Sequence, residues 1–131
     1  MLAFIGLLSS AEVWQVLLFQ GKKSGVEAMV HCQMADALNL QHQPAQAMAH
    51  FAEAVRLAER ACELTGYRDP LQLGTLANAY AGAGRLNEAF DTARKGREIA
   101  VARGQNQMAE SLLRLMESYH AQKPIGADGR K

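Results

Sequence analysis

Proline, cysteine and aromatic residues are all scarce in this 131-residue chain. With three prolines and few β-branched runs, little opposes helix formation, and the many alanines favour it. Two cysteines, Cys32 and Cys62, stand thirty residues apart and outside any C-x-x-C motif. That is too few for a disulfide scaffold, and they read as small buried hydrophobes. No N-x-S/T sequon marks a secreted surface. A net charge of +1 provides no global field for nucleic acid or an anionic membrane. Apolar residues at 49% and charged residues at 21% are ordinary for a folded globular chain, and the length suits a single domain. No segment alternates with period two and βαβ spacing is missing, so the chain reads as all-α with five or six helices.

The first twenty residues are the most apolar. "MLAFIGLLSSAEVWQVLLFQGKK" has no basic n-region and no A-x-A site, against a signal peptide. As a membrane span it is marginal, because Glu12 near its centre costs about 2–3 kcal/mol. A packed or capping helix over 1–24 in a cytoplasmic protein is the preferred reading. The alternative is membrane tethering through residues 1–20, with Lys22 and Lys23 at the cytoplasmic side.

Punctuation divides the rest. Ser9-x-x-Glu12 and Ser24-x-x-Glu27 match the capping-box pattern and predict helices starting near 10 and 25. Pro44 suits a first helical turn, opening a helix that should run to about 65 and stop at Gly66. Asp69-Pro70 opens a helix ending near Gly82, and another should run from about 86 to 103 and stop at Gly104. Asn106 can cap a last helix reaching about 122, with 124–131 as a flexible tail.

An internal repeat underlies these segments. At an offset of forty-two, Ala35 matches Ala77, Leu38 matches Tyr80, His42 matches Gly84, Ala47 matches Ala89, Phe51 matches Ala93 and Ala54 matches Gly96. Small residues recur where helices approach closely. A helix pair of this kind buries its apolar faces by stacking on its neighbours.

The register resembles the tetratricopeptide repeat family. Ala77, Tyr80, Gly84 and Ala89 match its small, aromatic, glycine and alanine positions. Ala35, Ala47, Phe51 and Ala54 match in the preceding unit, and "MAESLLRLMESYHAQKP", with Tyr119, looks like a terminal cap. Leu38, Ala93 and Gly96 depart from the pattern. The resemblance implies an antiparallel helix-pair solenoid of about 2.5 repeats over residues 25–123. The long spacing resembles variants with an extended second helix, such as those in kinesin light chains. The segment from Leu57 to Gly104 is also similar to the C-terminal repeats of bacterial membrane glycosyltransferase-like proteins, which implies as the alternative a repeat tail or fragment of such a protein.

Chemical motifs are weak beside this. Gly82-Ala83-Gly84 lacks the third glycine of a dinucleotide fingerprint, where Asn87 stands, and follows helical periodicity in place of a strand. "GKKSG" lacks the upstream glycine of a P-loop, since Val16 occupies that place. His31, Cys32 and Asp36 share a helix without a partner motif, a poor metal site. No nucleophile has a visible base. Arg85, Arg94, Lys95, Arg97 and Arg103 interleave with Glu88, Asp91 and Glu98, as on a solvated face. The expectation is therefore a non-enzymatic chain with no cofactor, no metal and no nucleic-acid partner.

What the resemblance implies instead is a concave groove that holds a peptide or helix of another protein. Its inward positions would carry Gln33, Asp36, Asn39, Thr75, Asn78, Arg114 and Glu117. Asn78 falls where family members place an amide against a peptide backbone, and Arg114 could meet a carboxylate. The lysines of the family's carboxylate clamp are missing. Gly74, Ala77, Ala81 and Gly82 would keep the groove open. Trp14, Leu17, Leu18 and Phe19 would cover the exposed edge, with self-association through the solenoid ends a further expectation. Deleting residues 1–20 should accordingly lower thermal stability or solubility; unchanged melting of the truncated chain would contradict this.

Overall fold

The structure is a computed structural model that describes residues 10–122. Five α-helices account for them: α1 (Ser10–Leu40), α2 (Pro44–Leu64), α3 (Pro70–Gly82), α4 (Leu86–Ala102) and α5 (Asn106–Gln122). No strand occurs among the described residues. The expected cap at Ser9 and the tail from 124 lie outside them.

Local chemistry explains the boundaries. Pro44 and Pro70 each occupy a first helical turn, where a missing N–H costs nothing. The Asp69 carboxylate accepts a hydrogen bond from the Leu71 amide at 3.0 Å, capping α3. Asn106, expected as a cap, is instead the first residue of α5. The Gln105 carbonyl takes the bond from the Ala109 amide at 2.9 Å.

The first four helices end in one way. His42, Gly66, Gly84 and Gly104 all adopt a left-handed conformation, with φ of 61°, 67°, 84° and 72°. The next amide then reaches back to a carbonyl five residues earlier: Gln43 to Leu38, Tyr67 to Cys62, Arg85 to Tyr80 and Gln105 to Ala100, at 2.7–2.9 Å. This is the Schellman arrangement, which satisfies carbonyls that a helix end leaves unpaired.

Three of these turns are copies of one another. The bonds from Gln41 to Ala37, His42 to Asn39, Gln43 to Leu38 and Ala47 to Gln43 recur forty-two residues on. There they run from Ala83 to Ala79, Gly84 to Ala81, Arg85 to Tyr80 and Ala89 to Arg85. The α4/α5 turn makes the same four bonds, from Arg103 to Ile99, Gly104 to Val101, Gln105 to Ala100 and Ala109 to Gln105, so this is one turn type used three times and not a mark of the forty-two-residue repeat. That repeat does not continue to α5, which starts thirty-six residues after α3 because α4, at 17 residues, is shorter than α2, at 21, and the loop after it is shorter too.

One boundary differs from expectation. No helix begins at Ser24, because α1 runs unbroken through it. Gly21, Ser24, Gly25 and Ala28 are buried and form a small-residue seam on one face of α1. A Cβ at Gly21 would press on Thr65 of α2, and one at Gly25 would overlap Gln72 of α3. Ser24 serves close packing inside a helix, and its capping-box spacing to Glu27 is incidental.

Packing centres on α3, which touches all four other helices. The helices α1 and α2 form one antiparallel pair and α3 and α4 another, while α5 lies against α4 and α3. Nine of the thirteen residues of α3 are buried. Leu73 meets Leu112 of α5 over Gly96 of α4, where an added Cβ would come within 3.2 Å of both side chains. Leu18 and Phe19, expected to cover an edge, are themselves 42% and 68% exposed. The Trp14 side chain lies outside the described part. Among the described residues no helix is long and apolar enough to cross a membrane.

His42 is the one helix-end residue of the four that is not glycine, and a side chain in the left-handed region costs about 1–2 kcal/mol. His42→Gly should therefore stabilise the fold by about 0.5–1 kcal/mol after the added freedom of the unfolded chain is counted. Gly84→Ala should destabilise it by a similar amount. Urea unfolding of both variants checks the pair; a loss of stability in His42→Gly would contradict it.

Candidate functional site

The helices α1, α3 and α5 enclose a groove of about 450 Å³. Thr75, Asn78, Ala81 and Gly82 of α3 line it together with Met29, Cys32, Gln33 and Asp36 of α1. Leu115, Ser118, Tyr119 and Gln122 of α5 line the other side, and Phe51 of α2 reaches in beside Gly82. A Cβ at Gly82 would overlap the Phe51 ring, so glycine is what admits that ring here.

The α3 residues differ in how free they are. The Thr75 hydroxyl donates to the Leu71 carbonyl at 3.2 Å, within its own helix. Asn78 is exposed, and its Oδ1 accepts a hydrogen bond from the Tyr119 hydroxyl at 2.7 Å. Tyr119 is 3% exposed, so a buried phenol holds the carboxamide in one orientation. Its Nδ2 has no partner among the described residues. Asp36 is the one charged side chain lining the groove.

Four residues expected on an inner face, Gln33, Asp36, Thr75 and Asn78, come together here. Asn39, Arg114 and Glu117 do not line the groove. Asn39 sits at the end of α1, where its carbonyl accepts the His42 amide at 3.0 Å. On α5 the groove side is carried by Leu115 and Ser118, one position beyond Arg114 and Glu117, and one residue turns a helix by about 100°. At the observed spacing of thirty-six Arg114 still corresponds to Asn78 and Glu117 to Ala81, so α5 turns a different face to the groove than α3 does. Reasoning from sequence also passed over Met29, Phe51 and Gln122 as lining residues. The approach of Phe51 to Gly82 joins α2 to α3, which periodicity along one helix does not reveal.

The chemistry of the lining is quiet. Burial first, and the Asp36 carboxylate second, push the half-buried Cys32 thiol up to about 11. Burial likewise raises Cys62 to about 12. At neutral pH both are thiols, weak as nucleophiles. His31 turns away from Cys32 and Asp36 toward His50 of α2, with their Nδ1 atoms 2.9 Å apart, so one ring donates and the other accepts. Among the described residues no group of three or more His, Cys, Asp or Glu is placed to hold a metal ion.

The basic helix α4 balances its charge locally. Arg85 pairs with Glu88 at 2.6 Å, and Arg94 with Asp91 at 3.6 Å and Glu98 at 3.3 Å, all exposed. Arg85 also lies 4.4 Å over the Tyr80 ring, and the Tyr80 hydroxyl donates to Glu59 of α2 at 2.8 Å. Lys95 lies 5.2 Å over the Tyr67 ring, so acidic and aromatic partners interleave with the basic residues along this helix.

With the geometry established, comparison with known proteins adds nothing: no family model, curated protein or solved structure matches the chain.

The raised thiols link stability to pH. An unfolded thiol ionises near its ordinary value of 9.0, whereas folded Cys32 and Cys62 stay protonated up to about 11 and 12. The folded state then holds more protons than the unfolded one above pH 9, so stability is whole below 9 and is lost as pH rises toward 12. Under reducing conditions the unfolding free energy should fall between pH 9 and 11, and Cys62→Ala should show a shallower fall. Equal slopes in the two proteins would contradict the linkage.

Proposed function

We propose that the chain is a tetratricopeptide-like helical repeat module that takes no part in catalysis and holds a peptide or helix of a partner protein in the groove between α1, α3 and α5. The observation that carries this reading is the pairing of Asn78 with Tyr119. A buried phenol spends its hydroxyl on Oδ1 of an exposed amide. The carboxamide is thereby held ready to donate through Nδ2 to a main-chain carbonyl. Preorganised donors raise affinity because little side-chain entropy is lost on binding. Recurrence of small residues at an offset of forty-two, as at Ala35 and Ala77 and at Ala47 and Ala89, supports the repeat reading.

The lining suggests what such a partner carries. Met29, Ala81, Leu115 and the Phe51 ring are apolar, while Gln33, Ser118 and Gln122 can satisfy a passing backbone. Asp36 brings one negative charge and the lining has no cation. A largely apolar segment with a single Lys or Arg suits this surface better than an acidic tail.

Selection of peptides from a random library on the immobilised chain tests the proposal. Enriched peptides should bind Asn78→Ala about 5- to 30-fold more weakly, corresponding to about 1–2 kcal/mol. Tyr119→Phe should weaken them in the same direction, and Arg114→Ala, outside the groove, should leave affinity unchanged. Peptides indifferent to Asn78→Ala, or a library yielding none, would overturn the reading.

A further inference from the structure

The outer face of α1 is a second, separate surface. Successive residues of a helix turn by about 100°, so Val16, Phe19, Val26, Val30 and Met34 fall within about 80° of one another. That stripe lies opposite the buried seam of Gly21, Gly25 and Ala28. All five side chains are open to solvent: Phe19 is 68% and Val26 59% exposed, and the others are between 44% and 46%. The helices packed on α1, namely α2 and α3, cover only the seam side. An apolar stripe about five turns long, broken near its middle by Lys23, on a helix with a partner on one face alone is the mark of an interaction surface.

The charges on this face select the occupant. We infer that it is a second copy of this chain, with the two α1 helices packed stripe to stripe and antiparallel about a two-fold axis level with Gly25 along the helix. In that register Phe19 of one copy meets Val30 of the other, Val16 meets Met34, and Lys23 meets Glu27, the paired numbers summing to 49 or 50. Lys23 and Glu27 are both exposed; Lys23 falls within the stripe, and Glu27 lies about 40° further round, beside Val16 and Met34. In an antiparallel two-fold pair each flank meets its own copy, so the Lys23–Glu27 pair forms twice. Spacings of three and four residues along Val16, Phe19, Lys23, Val26 and Val30 are those of a helix–helix seam. A single self-complementary face serves both copies, and the groove stays open on each.

Sedimentation velocity of the full chain over a range of concentrations tests this. The expected species is a dimer of twice 14.3 kDa that Val30→Glu converts to a monomer with its helical circular dichroism retained. Lys23→Glu and Glu27→Lys should each weaken dimerisation by roughly tenfold, since each places like charges together twice. The double variant should restore it. These charge variants also serve as the test if Val30→Glu loses helicity. A chain that remains at 14.3 kDa up to the highest concentration overturns the inference, and so does a dimer that the double variant fails to restore.

Discussion

Close enclosure of α3 by four other helices is the constraint on which the rest of the structure depends. A thirteen-residue helix with nine buried positions keeps only a narrow open strip, at Leu71 and Asn78, so its neighbours must approach closely on the remaining sides. Bulky side chains all round would hold them apart. The chain meets this with small residues at the contacts: Gly25 on α1 against Gln72, Gly82 on α3 against Phe51, and Gly96 on α4 against Leu73 and Leu112. Each removes a Cβ where a neighbour would otherwise collide. Larger side chains are thereby grouped into a few anchors, of which Leu73 and Leu112 are almost wholly buried.

The groove follows from the same arrangement. Because α1, α3 and α5 are drawn together by small residues, the side of α3 bearing Thr75 and Asn78 is left between two walls. Tyr119 then does two things at once: its ring completes the packing of α5 and its hydroxyl orients Asn78. Among the described residues one buried side-chain polar atom is left without a partner, the Gln72 Oε1 on α3 beside Gly25 of α1. Polar contacts between helices are few, and most ion pairs stay within a single exposed helix, where they contribute little. Apolar contact and backbone hydrogen bonding therefore carry the fold.

Much of this was legible in the sequence, for identifiable reasons. Helix ends were readable because glycine in a left-handed turn and proline in a first turn are nearly obligatory signals, as at Gly66, Pro70, Gly84 and Gly104. His42 was readable only through its repeat partner Gly84. The Ser24 capping box misled because a serine small enough to cap a helix is also small enough to pack inside one. The α3 part of the groove could be placed from repeat register. The α5 part could not, because α5 turns Leu115 and Ser118 to the groove although Arg114 and Glu117 stand thirty-six residues after Asn78 and Ala81. The Asn78–Tyr119 bond spans forty-one residues and leaves no mark in any local pattern.

Native-state hydrogen exchange tests the central role of α3 most directly. If its enclosure organises the fold, the amides of Leu73–Tyr80 exchange only through global unfolding and report the full unfolding free energy. Amides of Gln15–Gln20 on the exposed first turns of α1 exchange through far smaller openings. Exchange of α3 through local openings, at a free energy below that of α2 or α4, would contradict the account.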